Sequence, residues 1–184
     1  IVHLQSIANS AKNDGLIENW DNPFNNQNLT VRRSKATDRR PFTSEEVKQI
    51  VINCLEQGKS PADKWIPLLM LSTGVRNEEA ASLLGGDFKK DQNGNLYLQI
   101  NDINKAAPKT ENSLRDVPIP NCLLKLGLES FVRETSADER IFKDLREDKY
   151  GKVNSRWSEK WSKTVLRGQL KIKDLTAVLY SSRH

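Results

Sequence analysis

The stretch Ser72-Thr73-Gly74-Val75-Arg76-Asn77-Glu78-Glu79-Ala80-Ala81-Ser82-Leu83 decides how this chain is read. Upstream of it, Ser60 and Pro61 open a helix with N-cap and first-turn chemistry, and Trp65, Leu68, Leu69 and Met70 supply its apolar residues. Gly74 stops that helix, because glycine enters the left-handed region that ends a helix without steric cost. Arg76 stands at the break, and Glu79 follows three residues on. A short helix runs from about Asn77 to Leu84, before Gly85-Gly86. Taken alone, a buried helix, a glycine stop, an arginine and an acid also describe an ordinary turn with a solvated arginine.

A second helix precedes this one. Thr43 with Glu46 forms a capping box, and Phe42 with Val47 a hydrophobic staple. Val47, Ile50, Val51, Cys54 and Leu55 then fall on one helical face, closed by Gly58. Downstream the apolar period changes from helical to alternating. Asp91-Gln92-Asn93-Gly94 is a hairpin turn. Leu96, Leu98 and Ile100 alternate with Tyr97 and Gln99, and Leu114 to Ile119 alternates again before Pro118 and Pro120 end it. With residues near Phe88 this predicts a small antiparallel sheet of three strands. Helices resume after Pro120, one over Leu123 to Val132 and one over residues 154–167, with Trp157, Trp161 and Val165 spaced by four as core positions. A last helix starts around Asp174 or Thr176. The predicted class is α+β, mainly α.

Residues 1–18 begin with helical spacing, and Asp21 to Asn28, with Pro23 and clustered Asn, reads as a loop. Residues 1–40 therefore read as the last helix of a preceding helical domain plus a basic linker, and residues 41–184 as the main domain. The chain opens at Ile1, its only methionine is Met70, and it stops at Arg183-His184 within what reads as a starting helix, so both ends read as cut.

Of the 184 residues, 36% are hydrophobic and 29% charged, which suits a packed globular chain. No apolar run approaches 18 residues, which excludes a spanning helix. Ile1-Val2-His3-Leu4 carries no secretory leader signature. Cys54 and Cys122 lie in apolar patterns and read as buried thiols of a reducing, cytoplasmic compartment. The two histidines and two cysteines lie far apart, so no metal site and no cofactor are predicted.

Net charge is +5, and its distribution says more than its sum. Arg32, Arg33, Lys35, Arg39 and Arg40 face only Asp38 over residues 32–40. Lys152, Arg156, Lys160, Lys163, Arg167 and Lys171 step by three or four residues, which predicts one basic stripe on a helix. Two basic clusters point to a polyanion, although solvated surface fits charge runs as well.

Three segments in order resemble the tyrosine recombinase, or phage integrase, family over residues 41–184. They are Thr73-Gly74-Val75-Arg76 with Glu79; Lys109-Thr110 with Ser113, Arg115, Val117 and Pro118; and Tyr180-Ser181-Ser182-Arg183-His184. The family pattern is T-G-x-R-x-x-E, then K-T-x-x-S-x-R-x-V-P, then H-x-x-R-H. The resemblance implies site-specific breakage and rejoining of DNA through a 3′-phosphotyrosine, without metal or nucleotide, and tetramer assembly on DNA. It implies that Arg76 and Arg183 grip the reacting phosphate, that Lys109 protonates the leaving oxygen, and that Glu79 and His184 support the site. The three should converge on one concave basic surface.

Two departures stand out. Tyr180 occupies the place where the family usually has His. There it positions a phosphate oxygen, or is a partly buried helix residue, or substitutes as nucleophile. The family's nucleophilic tyrosine lies beyond the third motif, and none of Tyr97, Tyr150 and Tyr180 stands at its place. A second reading of the same residues is a non-catalytic DNA-binding remnant or regulator from a truncated integrase.

Overall fold

The computed structural model describes residues 2–16, 39–100 and 115–183. The chain divides into two compact units, Ile1–Lys35 and Ala36–His184. In the first unit, helix α1 spans Val2–Asn13. Its Ala8 is buried, whereas Leu4 and Ile7 face solvent.

The second unit is a mixed helix and strand domain with a three-stranded antiparallel sheet. Helix α2 spans Ser44–Glu56 and starts as its local chemistry dictates. The Thr43 hydroxyl accepts from the Glu46 amide, and the Glu46 carboxylate accepts from the Thr43 amide. Helix α3, Pro61–Thr73, has Ser60 as N-cap and Gly74 as its left-handed stop, with φ 68°. Residues Ala62 and Trp65 to Met70 of α3 are buried, so α3 is the axis around which the unit packs. Trp65 stacks on Phe131 with ring centroids 5.8 Å apart.

Helix α4, Asn77–Ala81, is shorter than the sequence predicts. It ends because Leu84 leaves to bridge with Arg140, and the amides of Gly85 and Gly86 donate to the carbonyls of Glu139 and Ala137. A Cβ at Gly85 would stand 2.5 Å from the Ser136 carbonyl oxygen, so only glycine fits there. The sheet runs β1 (Phe88–Lys90), β2 (Leu96–Ile100) and β3 (Arg115–Pro118) in that order. Phe88 pairs with Leu98 and Leu98 with Val117, which puts the alternating apolar residues on one face.

The predicted single helix over Leu123 to Val132 is two, α5 (Asn121–Lys125) and α6 (Leu128–Arg133), split at Gly127. With α5 so short, Cys122 points outward. The expectation of two buried thiols therefore holds for Cys54 alone. Helix α7, Asn154–Trp161, continues without a break into a π-helix, Ser162–Gln169. Trp157, Trp161, Val165 and Leu166 are buried as core residues. The predicted last helix is instead a 3-10 turn, Leu179–Arg183, because Asp174 caps an earlier turn through the amide and hydroxyl of Thr176. No helix among the described residues is long and apolar enough to cross a membrane.

Candidate phosphate-binding site

Arg76 is held by what surrounds it in the chain. Gly74 turns the backbone out of α3, fully buried Val75 anchors the turn, and Arg76 begins α4. Three residues later Glu79 is 4% exposed, a buried carboxylate at the foot of an arginine that is 50% exposed. The Arg76 amide donates to Glu79 Oε2 at 2.7 Å, and Arg76 Nη1 to Oε1 at 2.7 Å.

A second guanidinium reaches the same carboxylate from the sheet. Arg115 Nη2 donates to Oε2 at 2.7 Å and Nη1 to Oε1 at 3.2 Å. Each Glu79 oxygen thus accepts from both arginines, which fills the carboxylate's capacity. Burial pushes the Glu79 carboxyl up. The hydrogen bonds from Arg115 and Arg76 outweigh that and hold it at about 2. Glu79 is therefore ionised at neutral pH, and the cluster carries two positive charges against one negative. Its chemical capacity is to present a fixed, planar donor fork to an anion.

The sequence reading gave Arg115 no role of its own. A signal was present: Arg115 lies two residues before Val117 and so on the same strand face, and both are half-buried. An arginine on the inner face of a strand requires a buried counter-charge.

The 3-10 turn Leu179–Arg183 packs against α3, the helix whose end delivers Arg76. Leu179 and Ser181 face inward, and the Ser181 hydroxyl accepts from the Val178 amide at 3.1 Å. Tyr180 points outward at 38% exposed, and the Arg39 guanidinium lies 4.8 Å from its ring centre. Arg39, singled out by charge alone, therefore stands beside the third motif. The side chain of Arg183, and all of Lys109, His184, Arg32, Arg33 and Lys35, lie outside the described residues.

Arg40 is engaged within the chain. It donates to both Glu46 oxygens at 2.7 Å and through Nε to Asp174 at 2.6 Å. Its hydrogen bonds are the main reason the Glu46 carboxyl sits at about 2. Thr176 first, then Arg40, holds Asp174 well below the usual carboxylate range.

The predicted six-residue basic stripe is not one face. Lys152 precedes α7, and its amide donates to Asp148. Arg156, Lys160 and Lys163 are exposed along the helix, with Lys163 paired to Glu159 at 2.7 Å. Each π-helical turn takes up an extra residue, so four-residue steps no longer repeat a direction after Ser162. Arg167 consequently turns inward and donates to the carbonyls of Ile172, Asp174 and Ala177. Lys171 lies beyond the helix with φ 53°. Among the described residues, no group of three or more His, Cys, Asp and Glu could hold a metal ion.

Compared with known proteins, the chain matches no family model, and no curated protein matches it.

Proposed function

We propose that the second unit is the DNA-gripping part of a site-specific recombinase of the tyrosine recombinase type, acting on double-stranded DNA and assembling on it with further copies. The observation that carries this is the Arg76–Glu79–Arg115 cluster, where a buried carboxylate holds a half-exposed arginine at the end of α3. Packing of the Arg183 turn against that same helix supports it. In the proposed reaction a tyrosine hydroxyl, its proton passing to water, attacks the scissile phosphorus, and the bond to the 5′-oxygen breaks. The leaving oxygen takes its proton from Lys109. Arg76, fixed by Glu79, and Arg183 stabilise charge on the non-bridging oxygens as it grows, which is where a preorganised donor counts most. Arg39 and the exposed helix cations Arg156 and Lys160 contact flanking phosphates.

The attacking hydroxyl is assigned to none of the chain's tyrosines. Tyr97 lies half-buried in β2, and Tyr150 stands exposed in the turn before α7. Tyr180 carries Arg39 on its ring and positions phosphate. The chain by itself should therefore bind duplex DNA without cutting it. Fluorescence anisotropy on a 30-base-pair duplex tests the first half. If Arg39, Arg76, Arg156 and Lys160 each neutralise one phosphate, affinity falls about 100-fold between 50 and 200 mM salt. No binding at low salt, or affinity indifferent to salt, overturns the proposal. A nicked suicide duplex tests the second half. The denaturing gel should show no covalent protein–DNA band, and a band lost in Tyr180→Phe would make Tyr180 the nucleophile.

A further inference from the structure

A concave site opens at the other end of α3. It has a volume of about 460 Å³, within the range of small-molecule sites. Its lining includes Ser60 and Asp63, at the start of α3, whereas Arg76 follows the end of that helix. At 1.5 Å per residue the two sites lie about 20 Å apart.

The floor is aromatic and apolar: Trp157, Trp161 and Val165 line it. The rings are fixed in place. Trp157 Nε1 donates to Asp63 Oδ1 at 2.9 Å, and Trp161 packs on Trp157 with centroids 6.1 Å apart. At the wall, Asn53 of α2 donates to Gln169 of the π-helix at 2.8 Å, so the enclosure is held by a bond that spans two elements. Thr164, Val165 and Gln169 of that π-helix line the site, and π-helical turns are frequent at functional sites.

Lys59, Arg146, Arg156 and Lys160 surround this floor. Elsewhere on the unit some surface cations meet carboxylates, as Lys90 and Arg133 do at Glu129, Lys143 at Glu139, Lys163 at Glu159 and Arg140 at Glu147, whereas others, such as Lys48, Lys125 and Lys173, do not. None of the four cations around the pocket has an ion-pair partner among the described residues. Of the two acids in the lining, Asp63 is committed to the Trp157 N–H, and Asp144 leaves the rim with an excess of positive charge. The floor, whose two largely buried indoles are inclined by 32°, together with four cations that have no ion-pair partner among the described residues, suits a small anion with an apolar aromatic body.

We propose that this pocket binds a small anion with a planar aromatic body, its ring against Trp157 and Trp161 and its acid group among Arg146, Arg156 and Lys160. The site shares Arg156 and Lys160 with the proposed DNA-contacting surface but does not rest on DNA binding or cleavage. The probe is 1-anilinonaphthalene-8-sulfonate, titrated into the folded protein and followed by dye fluorescence. The expected result is one dye per chain, with affinity reduced about tenfold or more in Arg146→Ala/Arg156→Ala and near-UV circular dichroism unchanged. The uncharged N-phenyl-1-naphthylamine should bind at least about tenfold more weakly than the sulfonate, and decyl sulfonate should compete poorly. Several dyes per chain, equal binding of the uncharged dye, effective competition by decyl sulfonate, or an unchanged affinity in the double variant would each overturn the proposal. Thr164→Trp, at the exposed wall, gives a second handle: it should block the dye by filling the mouth while leaving the fold intact, and undiminished binding there also counts against the site.

Discussion

Replacing Glu79 by Gln keeps the shape of the side chain and removes its charge, leaving Arg76 and Arg115 with an amide between them. A carboxyl held at about 2 rather than 4.5 contributes about 3 kcal/mol of stability at neutral pH. Arg76 is half open to water, and screening there lowers the expected loss in Glu79→Gln to about 2 kcal/mol. The sign follows from the direction of the shift. A carboxyl depressed in the folded state contributes fully above its unfolded value of 4.5, and the contribution drains away as pH falls from 4.5 through about 2. Urea unfolding monitored by tryptophan emission should therefore show the gap between wild type and Glu79→Gln at its full size at pH 7 and at about half by pH 3. Trp65, Trp157 and Trp161, all buried in the second unit, supply that signal. A gap of equal size at both pH values would mean that packing, not charge, ties Glu79 to the fold. A gap below about 0.5 kcal/mol at pH 7 would mean that the two arginines do not depend on it.

Lys160→Ala should weaken duplex binding equally for all sequences and lower the slope of log affinity against log salt by about 1, as measured by anisotropy. Cys122, exposed on α5, should react with a thiol reagent within minutes in the native protein, whereas Cys54, whose thiol burial pushes up to about 12, should react only after unfolding; two fast equivalents would contradict this. Gly85→Ala should destabilise the unit by about 2 kcal/mol or more because its Cβ would meet the Ser136 carbonyl, whereas Gly74→Ala, with open space but a left-handed φ, should cost about 1 kcal/mol; urea midpoints for both variants check the order. Arg167→Ala strips donors from the carbonyls of Ile172, Asp174 and Ala177 and should lower the melting temperature by several degrees, with an unchanged value refuting that role.

The parts of this molecule that local chemistry decides were legible in the sequence. Thr43 with Glu46, Ser60 with Pro61, and Gly74 are signals only a few residues wide; α2 and α3 begin where the first two lie and α3 ends at Gly74, whereas α2 ends at Glu56 with Gln57 as its cap, before the expected Gly58. Alternation at Leu96, Leu98 and Ile100 likewise predicts β2. What distance decides was not legible. Arg115 meets Glu79 across 36 residues and Arg40 meets Asp174 across 134, and neither spacing has a periodicity to betray it. The basic stripe failed for a different reason. Counting by fours assumes 3.6 residues per turn, and the π-helix from Ser162 breaks that assumption without any proline or glycine at its start. Gly127 carried the opposite lesson, since an apolar pattern ran straight through a residue whose φ of 91° splits the helix.

The bond between Arg40 and Asp174 also sets an order of events during synthesis. Arg40 leaves the ribosome well before its second partner exists, and at 5–20 residues per second the interval is on the order of ten seconds. Throughout that interval α2 can take its capping box and pair with Arg40, but the turn carrying Tyr180 has not yet been made. The apolar side of α3 that this turn will cover stays open to water, or to a chaperone. The Arg40–Asp174 contact therefore forms only after α2, α3, the sheet and α7 between them have been made.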